Sequence, residues 1–293
     1  MNNDFVIIWS VAAGVFGAGC GSFVGAMVWR MKRNRDLDEK VEAGKMTKKT
    51  ADKQKLSWIN GRSICESCEH KLGALDMIPI FSWLFLRGKC RHCGAKIGAT
   101  PILLEIFMTG TFVTSFLFWP FEWSVITTVL FAVWLLIVVI MAALFVYDAR
   151  WHLLPDRLIL PLVILAVIFT VINNLFINNM NVGEFATATF YGLLPITGVY
   201  GALWAVSRGK WVGLGDVKLG VAIGLLVGWG GALVVLVAAN CLGTLTMIPM
   251  LMRKKVKMNS QIAFGPFLII ATFIVVLFGG IIMEFLQKEL FLF

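Results

Sequence analysis

Leu130-Phe131-Ala132-Val133-Trp134-Leu135-Leu136-Ile137-Val138-Val139-Ile140-Met141-Ala142-Ala143-Leu144-Phe145-Val146-Tyr147 is a run without a single charge, and Asp148 follows it directly. A helix that is apolar on every side has no face for water, so this run belongs in a bilayer, where about 20 apolar residues cross roughly 30 Å of hydrocarbon. Outward from it the pattern repeats. The chain predicts eight spans, near residues 5–29, 101–119, 124–147, 157–177, 185–206, 216–229, 231–252 and 262–286; the sixth is short enough to be tilted or re-entrant. The composition agrees: 59% of the 293 residues are hydrophobic, 15% are charged, and the mean hydropathy is +0.84. The fold class expected is an all-α polytopic membrane protein with about eight transmembrane helices and one small cytoplasmic module.

Lys and Arg in short loops stay on the cytoplasmic side. With the amino terminus outside, sixteen basic residues fall between Arg30 and Lys96, two in the next inside loop (Arg150, Arg157), three in the following one (Arg208, Lys210, Lys218) and four in the last (Arg253, Lys254, Lys255, Lys257). Of the 26 Lys and Arg residues only Lys288 lies outside. The net charge of +9 is therefore read as a topology signal beside an anionic leaflet, with membrane lipid as the surroundings and no nucleic-acid partner. Met1-Asn2-Asn3-Asp4 lacks the positive region of a cleavable signal peptide, so the first helix is expected to remain a span.

The only large polar region, 30–100, divides by composition. Lys32 to Lys55 is a charged linker too poor in apolar residues to build a core, expected to be mobile or loosely helical. Ser63 to Gly98 carries two pairs, Cys65-Glu66-Ser67-Cys68 and Cys90-Arg91-His92-Cys93, with 21 residues between Cys68 and Cys90. Two CxxC turns at that spacing let four thiolates meet at one tetrahedral ion about 2.3 Å from each sulfur, so a zinc-ribbon-like module is expected. Disulfides or a redox dithiol are the competing readings, and a reducing cytoplasm disfavours them. Four sulfurs close the coordination shell, which makes the expected zinc structural. His70 and His92 lie near enough to substitute for a ligand but read as surface residues, and Cys20 and Cys241 read as small buried hydrophobes.

Three aspartates stand at helix ends. Asp156 follows Leu154-Pro155, where an acid in a first helical turn is favoured by the dipole. Asp148 and Asp216 lie at the same face of hydrophobic helices, where an ionisable residue is a functional candidate. Brought together they could not both ionise easily, and that asymmetry is what hydrolysis by an aspartic pair requires. Gly213 and Gly215 in Gly213-Leu214-Gly215-Asp216 lack Cβ and admit close approach beside Asp216. Proton or ion transport is the rival reading of the same acids, and a membrane dithiol oxidoreductase is the rival reading of the cysteines.

Taken together, these residues resemble the type IV prepilin leader peptidases, a branch of the GxGD intramembrane aspartic proteases. Gly21-Ser22-Phe23 with Arg30, the stretch from Cys65 through Asp76, Ile78-Pro79, Ser82-Trp83-Leu84 and Leu86-Arg87-Gly88-Lys89-Cys90 to Cys93 and Glu105, Asp148 leading to Leu154-Pro155-Asp156, and Gly213 to Leu219 carry the likeness. Gly25 and Met77 depart from the family's pattern. The resemblance implies a bacterial inner-membrane enzyme with its active site facing the cytoplasm. It would remove the leader of prepilins or pseudopilins of type IV pili or type II secretion, then methylate the new amino terminus with S-adenosyl-L-methionine. It implies Asp148 and Asp216 as the catalytic pair, with Gly213, Gly215, Asp156 and Lys218 in support, and assigns no residue to the methyl donor. The expected division is a first spanning helix (1–29), a cytoplasmic loop with linker and four-cysteine zinc module (30–100) and a seven-helix protease core (101–293).

Overall fold

The computed structural model describes residues 3–58, 63–65, 67–252 and 263–290. Arg62, Glu66, Ile262 and the basic residues Arg253, Lys254, Lys255 and Lys257 of the charge argument lie outside the described residues. The chain forms two compact units, Met1–Leu117 and Phe118–Phe293.

In the first unit, α1 (Asn3–Glu42) and α4 (Thr100–Leu117) pack side by side, burying Val24, Met27, Met108 and Phe112. At 40 residues, about 60 Å, α1 is twice the length a span needs. Its last eleven residues, 32–42, are the first part of the charged linker and form regular helix, more ordered than the mobile or loosely helical segment expected. The physical reason lies in pairing that composition does not reveal. Lys32 pairs with Asp36 and Arg35 with Glu39 (2.9 Å), each at i,i+4 spacing. The short α2 (Lys48–Gln54) and its C-terminal extension fold back along α1, where the Asn34 side chain exchanges two hydrogen bonds with the Leu56 backbone, at 2.7 and 2.9 Å. Leu37 and Ala51 are buried. Lys55 bridges Asp38 (2.7 Å) and Asp52 (3.0 Å), and hydrogen bonding to these carboxylates holds its ammonium above its ordinary pKa.

The second unit is built from α5 (Val125–Trp151), α6 (Asp156–Val171), α7 (Val182–Leu193), α8 (Val199–Ser207), α9 (Leu214–Met252) and α10 (Gly265–Leu290). Helix α5 starts on a Ser124 cap, whose hydroxyl accepts from the Thr127 N–H at 3.2 Å, and stops where His152 turns left-handed (φ 53°). Helix α6 runs into a wide π turn, Ile172–Ile177, and α7 joins α8 through another, Leu194–Gly198, where Pro195 has no N–H to continue the ladder.

Among the described residues, seven helices are long and apolar enough to cross a membrane. The eighth expected span is contained in α9. Gly228, at φ 66° and ψ −172°, breaks its 39 residues near where the sequence separates a sixth span from a seventh. Asp216 lies twelve residues before Gly228 and Asn240 twelve after, yet Tyr200 interacts with both, so the two halves fold back on each other. A residue with a Cβ would pay a conformational cost at that φ, and glycine does not.

Candidate functional site

The first turn of α9 carries Asp216 into the neighbourhood of Asp148. Asp148 sits near the C-terminal end of α5 and is 5% exposed; Asp216 stands in the first turn of α9 and is half-buried. The two carboxylates are close enough to interact electrostatically. Each is oriented by a backbone amide. The Gly213 N–H faces the Asp216 carboxylate, and the Gly265 N–H, at the start of α10, donates to Asp148 Oδ2 at 3.0 Å in a buried hydrogen bond.

Gly265 is the residue that sequence reading does not single out. A Cβ there would lie 2.7 Å from Asp148 Oδ2, closer than two such atoms approach, so only glycine lets the amide reach the acid. Leu154 wedges between this glycine and Gly215: a Cβ would stand 3.5 Å from its Cδ2 at position 265 and 2.8 Å from its Cβ at position 215. The available signal was Gly265-Pro266 opening an apolar helix, which reads equally well as an ordinary helix start.

Asp156 lies apart from this buried cluster. Its side chain is 73% exposed at the start of α6 and pairs with Lys218 at 2.6 Å, tying the first turn of α6 to that of α9. A cavity of about 790 Å³ opens beside Gly228, lined by Asn173, Tyr191 and Trp229, but neither aspartate lines it. Twelve residues of helix, about 18 Å, separate Gly228 from Asp216.

In the first unit, the sulfurs of Cys65, Cys68, Cys90 and Cys93 all lie within 4.8 Å of one another, with Cys65 and Cys93 at 3.9 Å. Zinc held at about 2.3 Å by four sulfurs sets them about 3.8 Å apart, so the donor set fits such an ion. Two similar turns produce it. The Cys65 N–H donates to the His70 carbonyl (2.9 Å) and the Cys90 N–H to the Ala95 carbonyl (2.8 Å). After each second cysteine the chain turns left-handed, at Glu69 (φ 56°) and at Gly94 (φ 70°). Backbone N–H groups of Cys93 and His92 favour the Cys90 thiolate and bring its pKa down to about 7. The His70 amide acts likewise on Cys68, but desolvation and the other three sulfurs outweigh it and push that thiol up to about 11. His70 and His92 are exposed and lie against each other with their rings tilted by 37°, ring centres 3.5 Å apart, outside the sulfur cluster.

Comparison with known proteins accords with both halves. Residues 15–119 match the Bacterial Peptidase A24 N-terminal domain and residues 134–248 match the Type IV leader peptidase family. Proteins called prepilin leader peptidase/N-methyltransferase are similar along most of the chain. The one from Dichelobacter nodosus is 31% identical over 276 residues, covering 91% of this chain and 91% of that protein. The one from Aeromonas salmonicida (strain A449) is 29% identical over 269 residues, covering 90% and 89%, and that of Dickeya chrysanthemi 27% over 273 residues, covering 92% of each. No solved structure matches significantly.

Proposed function

The chain belongs to the prepilin leader peptidase/N-methyltransferase family, and from that premise we propose that it cleaves the leader of type IV prepilins or pseudopilins at the cytoplasmic face of a bacterial inner membrane and N-methylates the amino terminus so exposed. The observation that carries the reading is that Asp148 and Asp216, on helices far apart in sequence, are close enough to interact electrostatically. Two carboxylates sharing a site hold one proton between them. The ionised member takes a proton from a water as it adds to the scissile carbonyl, while the protonated member gives its proton to the carbonyl oxygen. Proton return to the leaving nitrogen then breaks the C–N bond. The Gly265 N–H occupies one oxygen of Asp148 and leaves the other for this exchange. The distribution of Lys and Arg supports a cytoplasmic active site.

Cys65, Cys68, Cys90 and Cys93 would hold a structural zinc ion. Bound there, the ion cross-links two turns that are too short to build a core. S-adenosyl-L-methionine enters as the co-substrate that supplies the methyl group. Mass spectrometry of a co-expressed prepilin tests the proposal, because loss of the leader and gain of one methyl group appear in one spectrum. Both changes are expected. An uncut prepilin contradicts the peptidase, and a cut but unmethylated one under saturating methyl donor makes this chain a peptidase alone.

A further inference from the structure

Beside the sulfur cluster, the cysteine module carries an apolar ridge. Leu75, Met77 and Ile78 are exposed along the turn Ala74–Met77 and just after it. The short α3 (Phe81–Phe85) continues the ridge with Phe81, Leu84 and Phe85, the last 84% exposed. Residues 81, 84 and 85 are spaced i, i+3 and i+4, so they share one face. Trp83 points the other way, against Gly88. Six large apolar side chains in eleven residues are more than the scattered exposure a water-facing surface normally shows.

What sets the height of this ridge is a buried acid in a spanning helix. Glu105, 6% exposed in α4, accepts the Ile80 N–H at 2.6 Å, and the Ser22 side chain of α1 engages the same carboxylate. Ile80 is held at φ 65° and ψ −55°, a tight-turn conformation that a β-branched residue adopts only when its surroundings impose it. The Phe81 N–H donates to the Pro79 carbonyl at 2.6 Å and closes a tight turn around Ile80, whose own N–H Glu105 holds, and α3 starts immediately afterwards. Glu105 lies five residues inside α4, about 7–8 Å along the axis from its first residue. Amphipathic segments resting at the headgroup boundary bury their apolar face to a comparable depth, about 5–10 Å.

Charge points to the same occupant. From Met77 to Leu104 the chain holds Arg87, Lys89, Arg91 and Lys96 and no acidic residue. Arg91 is tied to Asp76 at 2.7 Å, while Arg87 and Lys89 stand exposed directly after α3. An apolar ridge followed by cations, fixed at the end of a spanning helix, suits an anionic leaflet.

We propose that the face formed by Leu75, Met77, Ile78, Phe81, Leu84 and Phe85 is immersed in the lipid of the bilayer surface, with Arg87 and Lys89 against anionic headgroups and the Glu105–Ile80 bond setting its depth. Photo-cross-linking of the full-length protein tests this without reference to peptidase activity. A benzophenone amino acid replaces Phe85, or Phe81 should the first variant fail to accumulate, in vesicles of phosphatidylethanolamine and phosphatidylglycerol. A control variant carries it at Lys45, between α1 and α2. Peptides containing position 85 or 81 should gain the mass of a phospholipid several-fold more often than those containing position 45. Cross-links from the ridge to polypeptide, whether of this chain, a second copy or a substrate, would overturn the assignment, as would lipid labelling no greater than at position 45.

Discussion

In the cysteine module all four sulfurs come from two four-residue turns with 21 residues between them, whereas the aspartate site draws on the end of α5, the first turn of α9 and the first turn of α10, with Asp148 and Gly265 lying 117 positions apart. The first arrangement is local and repeats one turn geometry; the second exists only once helices pack. A local site announces itself by spacing, because the turn that presents the ligands is written beside them. A site assembled across helices announces only those members whose chemistry is out of place in lipid. Asp148 and Asp216 are conspicuous for that reason, and Gly265 is not.

The same distinction explains how much of the molecule could be read in advance. Hydropathy located the spanning helices and set the boundary between the sixth and seventh spans near residue 230, two residues from the break at Gly228, since crossing a bilayer fixes both length and composition. That the linker, expected to be mobile or loosely helical, is ordered helix as far as Glu42 was not legible because its support is pairwise: Lys32 with Asp36, Arg35 with Glu39, and Asn34 with a backbone segment 22 residues away. Asp156 was legible as a helix-start acid, but its Lys218 partner lies 62 residues distant.

The comparison breaks most easily at Gly265. Alanine there places a Cβ against Asp148 Oδ2, and displacement of a catalytic carboxylate by about 1 Å costs about a hundredfold in rate. Prepilin cleavage by Gly265→Ala should fall on that scale while the protein still inserts; cleavage at the unaltered rate would remove the glycine from the site. Disturbing the local site should act differently. Purified without chelators, the protein should hold one zinc ion per chain. Cys68→Ser should weaken its retention and increase hydrogen exchange across residues 63–98, with the spanning helices unchanged. Acidification should release the ion, because protons compete for the thiolates. Metal-free protein showing the same exchange protection would separate the cysteines from the module's stability. The smallest effect belongs to Asp156. An exposed ion pair contributes less than about 1 kcal/mol, so Asp156→Asn should shift the melting temperature only slightly and retain cleavage. Complete loss of cleavage would move Asp156 into the catalytic group.

The most direct measurement of the central claim is cleavage of a co-expressed prepilin by Asp148→Asn and by Asp216→Asn, in protein shown by protease protection to be inserted. Each substitution preserves shape and removes half of the acid–base couple, an effect worth about a hundred- to ten-thousandfold. Both variants should therefore leave the leader attached, whereas the unaltered protein should cleave across a bell-shaped pH range set by the pair as a unit. Substantial cleavage by either inserted variant would contradict the aspartic-pair mechanism.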